Sequence, residues 1–235
     1  MGNKPAIKDL ETALRIAVLN NDSSAVNKCI GLGARVNRQH RTGTTPLAWA
    51  CSSGFLEMVD LLLAHGAGIE YPTLTGDKPL MVAALHGHAS ICELLVERGA
   101  NVNATCPLGR TALMMAACSP SSPNDLARAA TLLIAAGADP FAVSPHFGDA
   151  LFCAAAACSE KMCLLLLGAG LDPRRKTLKS KSPIDSLRSF IGGDARQEAC
   201  LRLLESAALA LDEREAFDGA ALPAASMRPA AQNRL

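Results

Sequence analysis

Residues 43–67, GTTPLAWACSSGFLEMVDLLLAHGA, predict two short helices separated by a turn. Thr45 is of the residue type that caps helix N-termini, and Pro46 suits the first helical position. Gly54 ends the first helix and Gly66-Ala67 ends the second, because glycine readily adopts the left-handed backbone that closes many helices. Apolar residues at helical spacing give each helix one apolar side: Leu47, Trp49, Ala50 and Cys51 in the first, and Val59, Leu62 and Leu63 in the second.

The same two-helix pattern recurs along the chain at a fixed interval, which is the signature of a repeat architecture. An apolar residue near the start of each unit occurs at Leu14, Leu47, Leu80, Leu113, Leu151 and Ile184. A glycine near the end of each unit occurs at Gly33, Gly66, Gly99, Gly137 and Gly170. In both series the step is constant, apart from one step that is longer by five. The extra residues therefore lie between Leu113 and Gly137, and we expect residues 119–125, with two prolines and several cap-forming residues, to form a loop.

A pair of helices this short cannot bury both of its faces alone, but stacked pairs can. Small residues where neighbouring pairs would meet, such as Ala50, Ala83-Ala84 and Ala116-Ala117, allow close approach. Aromatic residues make up only 3% of the chain, which argues against an all-β sandwich. The sequence therefore predicts an all-α solenoid of helix-turn-helix repeats.

These motifs resemble the ankyrin repeat family. Residues 43–67, together with LMVAALHGH at 80–88 and ELLVERGANVNA at 93–104, follow its consensus closely. The resemblance covers about residues 9–208 and implies an ankyrin-like repeat solenoid with protruding turns. Its units are expected at about 9–41, 42–74, 75–107, 108–145, 146–178 and 179–208. Where the family usually has a histidine, this sequence has Ala48, Met81, Met114 and Phe152, so the hydrogen bonds of that histidine are expected to be lost.

The two ends of the chain fall outside the repeat pattern. Residues 1–8 are expected to form an N-terminal tail. In the sixth unit Ser206-Ala207-Ala208 replaces the Gly-Ala stop, so the helix that begins near Ala195 is expected to continue to Asp218-Gly219. The Ala- and Pro-rich sequence after it is typical of disorder, so residues 209–235 are assigned to a C-terminal helix extension and a disordered tail.

The composition of the chain argues against several classes of function. Lys and Arg number 23 against 22 Asp and Glu, so the net charge of +1 gives no global attraction to nucleic acid or membranes. No apolar run reaches the ~18 residues of a membrane span, and the N-terminus has no apolar signal core. We expect a monomeric cytoplasmic protein that binds neither nucleic acid nor membrane, or alternatively one delivered into a host cell or the nucleus. Its nine cysteines are expected to be free thiols.

Motifs for catalysis are absent from the sequence. It has no P-loop, no His-Glu-x-x-His and no Gly-x-Ser-x-Gly, so we expect no catalytic residues and no cofactor. The spacing of Cys153, Cys158 and Cys163 allows an alternative interpretation, in which they bind a metal ion. Side chains five positions apart on a helix point about 140° apart, and no fourth ligand is evident nearby. We therefore expect no metal, and predict that these cysteines are packing residues.

The resemblance also implies that a partner protein binds on a concave face, built from the turns and the first helix of each unit. In such repeats this face holds the residues just before the Thr-Pro-Leu segment and those five and six places after its Leu. Position by position, the turns contribute Arg41, Thr42, Thr44, Leu74, Thr75, Asp77, Leu108, Arg110, His146, Lys179 and Lys181, and the helices contribute Ser52, Ser53, Leu85, His86, Cys118 and Ser119. The residue type changes from unit to unit, so packing does not dictate it.

Two aromatic residues, Tyr71 and Trp49, have different expected roles. Tyr71 lies beside the concave face and is a candidate anchor for a partner, with a ring folded over Pro72 as the alternative. Trp49 belongs to an apolar row that the periodicity assigns to the core: Ile16, Trp49, Val82, Met115 and Cys153.

A basic patch occupies the turn between units five and six. Arg174, Arg175, Lys176, Lys179 and Lys181 bring five positive charges and no negative one to residues 174–181. The patch attracts an acidic partner, or is a nuclear localisation signal, or is a solvated turn. No aromatic residues alternate with these charges, which disfavours base stacking with nucleic acid.

These observations favour a non-enzymatic protein–protein interaction scaffold or adaptor that binds a partner protein on its concave face. One alternative is a bacterial-type effector or regulatory protein that acts in a host cell and uses the array for targeting. Another is an enzyme with a cryptic site, for which the sequence offers no positive evidence.

Overall fold

The computed structural model describes residues 7–178, 180–189 and 194–220. Within these ranges the chain forms helices and no strand, and two isolated bridges, Ser144–Gly148 and Leu178–Lys181, are the only β-type pairing. The helices are α1 Ile7–Leu19, α2 Ser23–Gly31, α3 Pro46–Ser53, α4 Leu56–Ala64, α5 Pro79–Leu85, α6 Ala89–Glu97, α7 Ala112–Cys118, α8 Pro123–Ala135, α9 Ala150–Ala156, α10 Glu160–Gly168, α11 Pro183–Ser189 and α12 Ala195–Ala220. They follow one another as helix pairs, so the predicted all-α repeat array is confirmed.

The apolar row that begins each unit forms the centre of the core. Its members are at most 8% exposed: Leu14, Leu47, Leu80, Leu113, Leu151 and Ile184. The first helices pack in the order α1, α3, α5, α7, α9 and α11, so each of these side chains lies in an equivalent position between neighbouring units. Burying one such side chain stabilises the fold by roughly 1.5–3 kcal/mol.

Side chains just before the first helices cap them. Thr45, Thr111 and Asp149 each accept a hydrogen bond from the backbone N–H three residues later, at 3.1, 3.3 and 2.8 Å. The donating N–H groups are those of Ala48, Met114 and Phe152, which occupy the position where the family usually has histidine. The side chains at these positions are buried, so apolar packing takes the place of the hydrogen bonds that histidine would make: Ala48, Met81, Met114 and Phe152.

The row that contains Trp49 is only partly in the core. Its assignment there from periodicity is wrong for Ile16, whereas Trp49 and Val82 pack against the edge of the core. Ile16 is 47% exposed, and Trp49 and Val82 are half-buried, whereas Met115 and Cys153 are buried. The buried side of α3 is formed by residues 47, 48, 50 and 51. At 100° per residue, position 49 points about 180° away from the middle of that side.

The five extra residues of the fourth unit lengthen a helix more than a loop. Helix α8 has 13 residues, whereas α4, α6 and α10 have 9 each. Pro123 is its first residue, so the predicted loop at 119–125 is wrong for its second half. Proline suits this position because the first N–H of a helix has no intrahelical acceptor, and Asp125 in the first turn is favourable at the positive end of the helix.

The turns of successive units stack directly on one another. Gly43 and Gly76 adopt left-handed φ values of 75° and 81°. A Cβ at Gly43 would lie 2.0 Å from the Cβ of Leu74, and one at Gly76 would lie 2.2 Å from the Cδ of Pro107. The backbone N–H of Leu74 also donates to the Gly43 carbonyl at 2.8 Å. Glycine is therefore needed at these turns both for the backbone conformation and for the close approach of the next unit.

The N-terminal end of the array differs from the predicted boundary, whereas the C-terminal helix extends as expected. Helix α1 begins at Ile7, inside the segment expected as a tail, and residues 1–6 lie outside the described part of the chain. Helix α12 runs for 26 residues from Ala195 to Ala220, close to the extent expected for a helix that no glycine stops near 208. The segment 221–235, expected to be a disordered tail, lies outside the described residues.

Candidate binding surface

Most of the residues expected on the concave face reach solvent. The exposed ones are Arg41, Thr42, Ser53, Tyr71, Leu74, Thr75, His86, Leu108, His146 and Lys181, and the half-buried ones are Thr44, Ser52, Leu85, Arg110 and Cys118. Lys179 lies outside the described residues. These residues lie on the turns and on α3, α5 and α7 or directly after them, and these first helices pack consecutively on one another.

Two of the expected surface residues are buried, so their placement on an accessible face is wrong. Asp77 is 9% exposed, accepts a hydrogen bond from the Thr75 hydroxyl at 2.7 Å and pairs with Arg110 at 3.0 Å. Ser119 is 5% exposed, and its hydroxyl oxygen accepts a hydrogen bond from the Ser121 N–H at 3.1 Å. The Asp77 side chain thus links its own turn to Arg110 in the next unit, and the Ser119 side chain holds the backbone that follows it.

Exposed apolar side chains lie on successive turns. Tyr71, Leu74 and Leu108 are 48%, 75% and 39% exposed. The Tyr71 ring lies against Gly68, where an added Cβ would come within 2.7 Å of the ring Cδ2, and the Tyr71 N–H donates to the Gly68 carbonyl at 3.0 Å. These three side chains keep much of their apolar surface available for contact with another molecule.

The basic patch is partly neutralised by helix α12, which supplies carboxylates to Arg174. The Arg174 guanidinium donates to Asp172 at 3.0 Å, to Glu215 at 2.8 Å and also to Asp212. Burial alone would raise the pKa of Asp172, but the hydrogen bonds and charge of Arg174 lower it below its ordinary value. Among the described residues, only the exposed cations of Arg175, Lys176 and Lys181 in this patch lack an ion pair.

A cleft of about 450 Å³ lies between α1, the following turn and α3, and we call it the N-terminal cleft. Four arginines line it: Arg15, Arg35, Arg38 and Arg41. Trp49 lies in its wall, with the Arg15 guanidinium 5.4 Å from the ring centroid and the His40 ring also at 5.4 Å.

One carboxylate, that of Glu11, lines the same cleft. It accepts from Arg35 Nε at 2.6 Å and lies 3.5 Å from Arg38 Nε. Sequence reasoning did not identify this cluster, although RVNRQHR at 35–41 carries three arginines and a histidine without any acid. Arg15 and Trp49 join it only through the packing of α1 on α3.

A second recess lies further along the array, and we call it the apolar pocket. It has a volume of about 210 Å³ and lies between α7 and α9. Its walls are mostly apolar: Cys118, His146, Phe147, Phe152, Cys153, Ala156, Ala157 and Leu178. A recess of this kind suits an apolar side chain better than a polar one.

All nine cysteines are free thiols. Cys153 and Cys163 are buried in different helices, and Cys158 lies between them in a turn with a left-handed φ of 51°. Burial raises the pKa of Cys153 to about 12, and a hydrogen bond with Cys200 raises the pKa of Cys163. In the described ranges, no three His, Cys, Asp or Glu side chains are grouped so that they would hold a metal ion.

Crossing a bilayer requires a helix that is both long and apolar. None of the described helices combines the two properties to the degree that a membrane span needs.

Comparison with known proteins identifies the repeats. Residues 14–106 match the family model for ankyrin repeats in three copies. Potassium channel AKT1 from Oryza sativa subsp. indica and the protein of the same name from subsp. japonica are each 46% identical to this chain over 55 residues, which is 23% of this chain and 6% of theirs. The similarity thus covers a small part of these relatives. The match shows that residues 14–106 are ankyrin repeats, and the helix pairs continue beyond them with the same pattern.

Proposed function

We propose that this chain is an adaptor that binds a segment of a partner protein along its concave face. Ankyrin repeats are protein–protein interaction modules, and the family is generally non-enzymatic. The observation that carries the proposal is the row of exposed apolar side chains on successive turns, Tyr71, Leu74 and Leu108. Tyr71 and Leu74 lie on one turn and Leu108 lies on the next, and exposed apolar residues grouped in this way are typical of interaction sites, whereas single ones are common on any surface.

The distance between two recesses on the proposed concave face suits an extended segment of the partner. The N-terminal cleft lies between α1 and α3, and the apolar pocket lies between α7 and α9. Packed helices are roughly 8–10 Å apart, so the two recesses are separated by three steps, or roughly 24–30 Å. An extended chain advances ~3.3 Å per residue and spans this distance with about seven to nine residues.

The test is affinity capture with three forms of the purified chain, followed by mass spectrometry. They are the wild type, the double variant Leu74→Ser/Leu108→Ser, and the control Leu164→Ser. Leu164 is 52% exposed but lies on α10, a second helix outside the concave face. The control therefore removes exposed apolar surface elsewhere on the molecule.

We expect at least one protein to be captured by the wild type and the control but not by the double variant. Its dissociation constant, measured by biolayer interferometry, should rise at least roughly tenfold in the double variant, because well-packed apolar contacts dominate interface energies. Equal capture by the double variant and the wild type would refute binding through the turns. Loss with the control alone would place the interface on the second helices.

A further inference from the structure

The N-terminal cleft concentrates positive charge that the overall composition conceals. The whole chain carries a net charge of +1, yet this one cleft holds four guanidinium groups and a single carboxylate. With His40 neutral, the lining has a formal excess of three positive charges. Clefts lined by one sign of charge focus the electrostatic field and attract ligands of opposite charge.

Two of the four arginines remain available to a ligand. Arg35 and Arg38 already form ion pairs with Glu11. The Nε of Arg15 is buried and has no hydrogen-bond partner among the described residues, and a buried donor without an acceptor is unfavourable. Arg41 is exposed and has no ion pair within the described part of the chain. Neither arginine has an ion pair among the described residues, so carboxylates that reach the outer N–H groups of Arg15 and the guanidinium of Arg41 would pair two uncompensated cations of the cleft lining.

Trp49 holds one of these arginines in a defined orientation. The Arg15 guanidinium lies over the indole ring at 5.4 Å from its centroid. Contact with the ring face leaves the N–H groups at the edge of the guanidinium plane able to donate to a carboxylate. Because the orientation is fixed before binding, less side-chain entropy is lost when a ligand arrives.

We propose that the N-terminal cleft binds an acidic stretch of the partner protein, with separate Asp or Glu carboxylates on Arg15 and Arg41. The two arginines lie on different elements, α1 and the turn before α3, which suits two carboxylates on one peptide. Glu11 already places one carboxylate against two arginines of the same cleft. A volume of about 450 Å³ accommodates several side chains of a peptide. The proposal rests on the proposed function only in taking the ligand to be a protein segment.

Trp49 makes the proposal directly testable. It is the single tryptophan of the 235-residue chain, so its fluorescence reports on the cleft without a label. The probes are three capped hexapeptides: hexaglutamate, hexaglutamine, and a glycine hexapeptide with one phosphoserine. Each is titrated into the full chain at low and at physiological salt, and binding is also measured by calorimetry. No partner protein is needed, so the result is independent of the capture experiment.

The variant Arg15→Gln/Arg41→Gln removes the two available charges. Its matched control is Lys161→Gln/Arg202→Gln, which changes the net charge equally at exposed sites outside the cleft. Arg41→Gln alone is included, because an exposed turn residue is replaced with little effect on folding. Melting temperatures of all variants are recorded to verify that they are folded.

We expect hexaglutamate to change Trp49 fluorescence saturably and hexaglutamine to leave it unchanged. The affinity should fall about tenfold from low to physiological salt, because ions screen exposed charges. The double variant should bind at least roughly tenfold more weakly, and Arg41→Gln should have an intermediate effect, whereas the control should bind like the wild type. Absence of binding, or equal binding by the double variant, would overturn the proposal. Binding of the phosphoserine peptide alone would replace carboxylates with phosphate as the ligand and overturn it in that form.

Discussion

Replacing Gly76 by alanine should destabilise the array by making the stacking of two turns impossible. Gly76 has a left-handed φ of 81°, and the Cβ of an alanine would lie 2.2 Å from Pro107 Cδ and 2.7 Å from its Cγ. The proline ring is closed onto the backbone, so it cannot rotate away as a long side chain would. The turn that contains Pro107 must move.

The expected loss of unfolding free energy has two parts, backbone strain and steric overlap, and the control variant Gly99→Ala separates them. A left-handed conformation costs an alanine roughly 1–2 kcal/mol, and overpacking typically adds ~1–3 kcal/mol. Gly76→Ala should therefore lower the free energy of unfolding by roughly 2–5 kcal/mol. Gly99 has a φ of 90°, but a Cβ added there would meet nothing within 4 Å, so Gly99→Ala should lose only roughly 1–2 kcal/mol.

The assay is urea unfolding followed by far-UV circular dichroism, with wild type, both single variants and the double variant Gly76→Ala/Pro107→Ala. Removing the proline ring should recover most of the excess loss in Gly76→Ala, since it removes the atoms that clash. Equal losses in Gly76→Ala and Gly99→Ala, without coupling to position 107, would show that turn stacking does not constrain the array.

Three further predictions concern the core, the thiols and helix α12. Leu80→Ala should cost ~2–5 kcal/mol in urea unfolding, because Leu80 is 3% exposed, whereas Leu108→Ala on a turn should cost no more than roughly 0.5 kcal/mol. Burial raises the pKa of Cys92 and Cys153 from 9.0 to about 12, so their stabilising contribution is complete below pH 9 and is lost as the pH rises toward 12. Stability measured over this range should fall less steeply in the double Cys→Ala variant than in the wild type. Arg174→Gln should speed amide hydrogen exchange in the last turns of α12 with little change in melting temperature, and unchanged exchange would show that its ion pairs do not hold the helix.

The sequence predicts the repeat and its core because both follow from the spacing of apolar residues and glycines along the chain. Leu47 and its equivalents recur at a nearly constant interval, and a buried row must keep its residue type wherever identical units stack. The cap residues and helix-ending glycines act within a few positions of the chain, so their roles are also readable without the fold. Helix α12 follows from the same logic, since the missing glycine near 208 lets it continue.

The electrostatics of the candidate site depend on contacts that no local pattern records. Arg174 belongs to a purely basic run in the sequence, yet Asp212 and Glu215 meet it from 38 and 41 positions away. Asp77 is likewise neutralised by Arg110, 33 positions later in the next unit. A run of like charges therefore predicts a surface potential only where no neighbouring element supplies the opposite charge.

The two ends of the array consequently differ in how far their arginines are paired with carboxylates. At the C-terminal end, carboxylates of α12 surround Arg174 and satisfy it within the chain. At the N-terminal end, Glu11 alone faces four arginines, and the Nε of Arg15 is left without a partner among the described residues. Like charges held together and an unpaired buried donor both oppose folding, and the ion pairs of Glu11 compensate only Arg35 and Arg38. Departures from such local rules are expected at functional sites, where a ligand provides the missing interactions. The unsatisfied end is therefore where an acidic segment gains the most by binding.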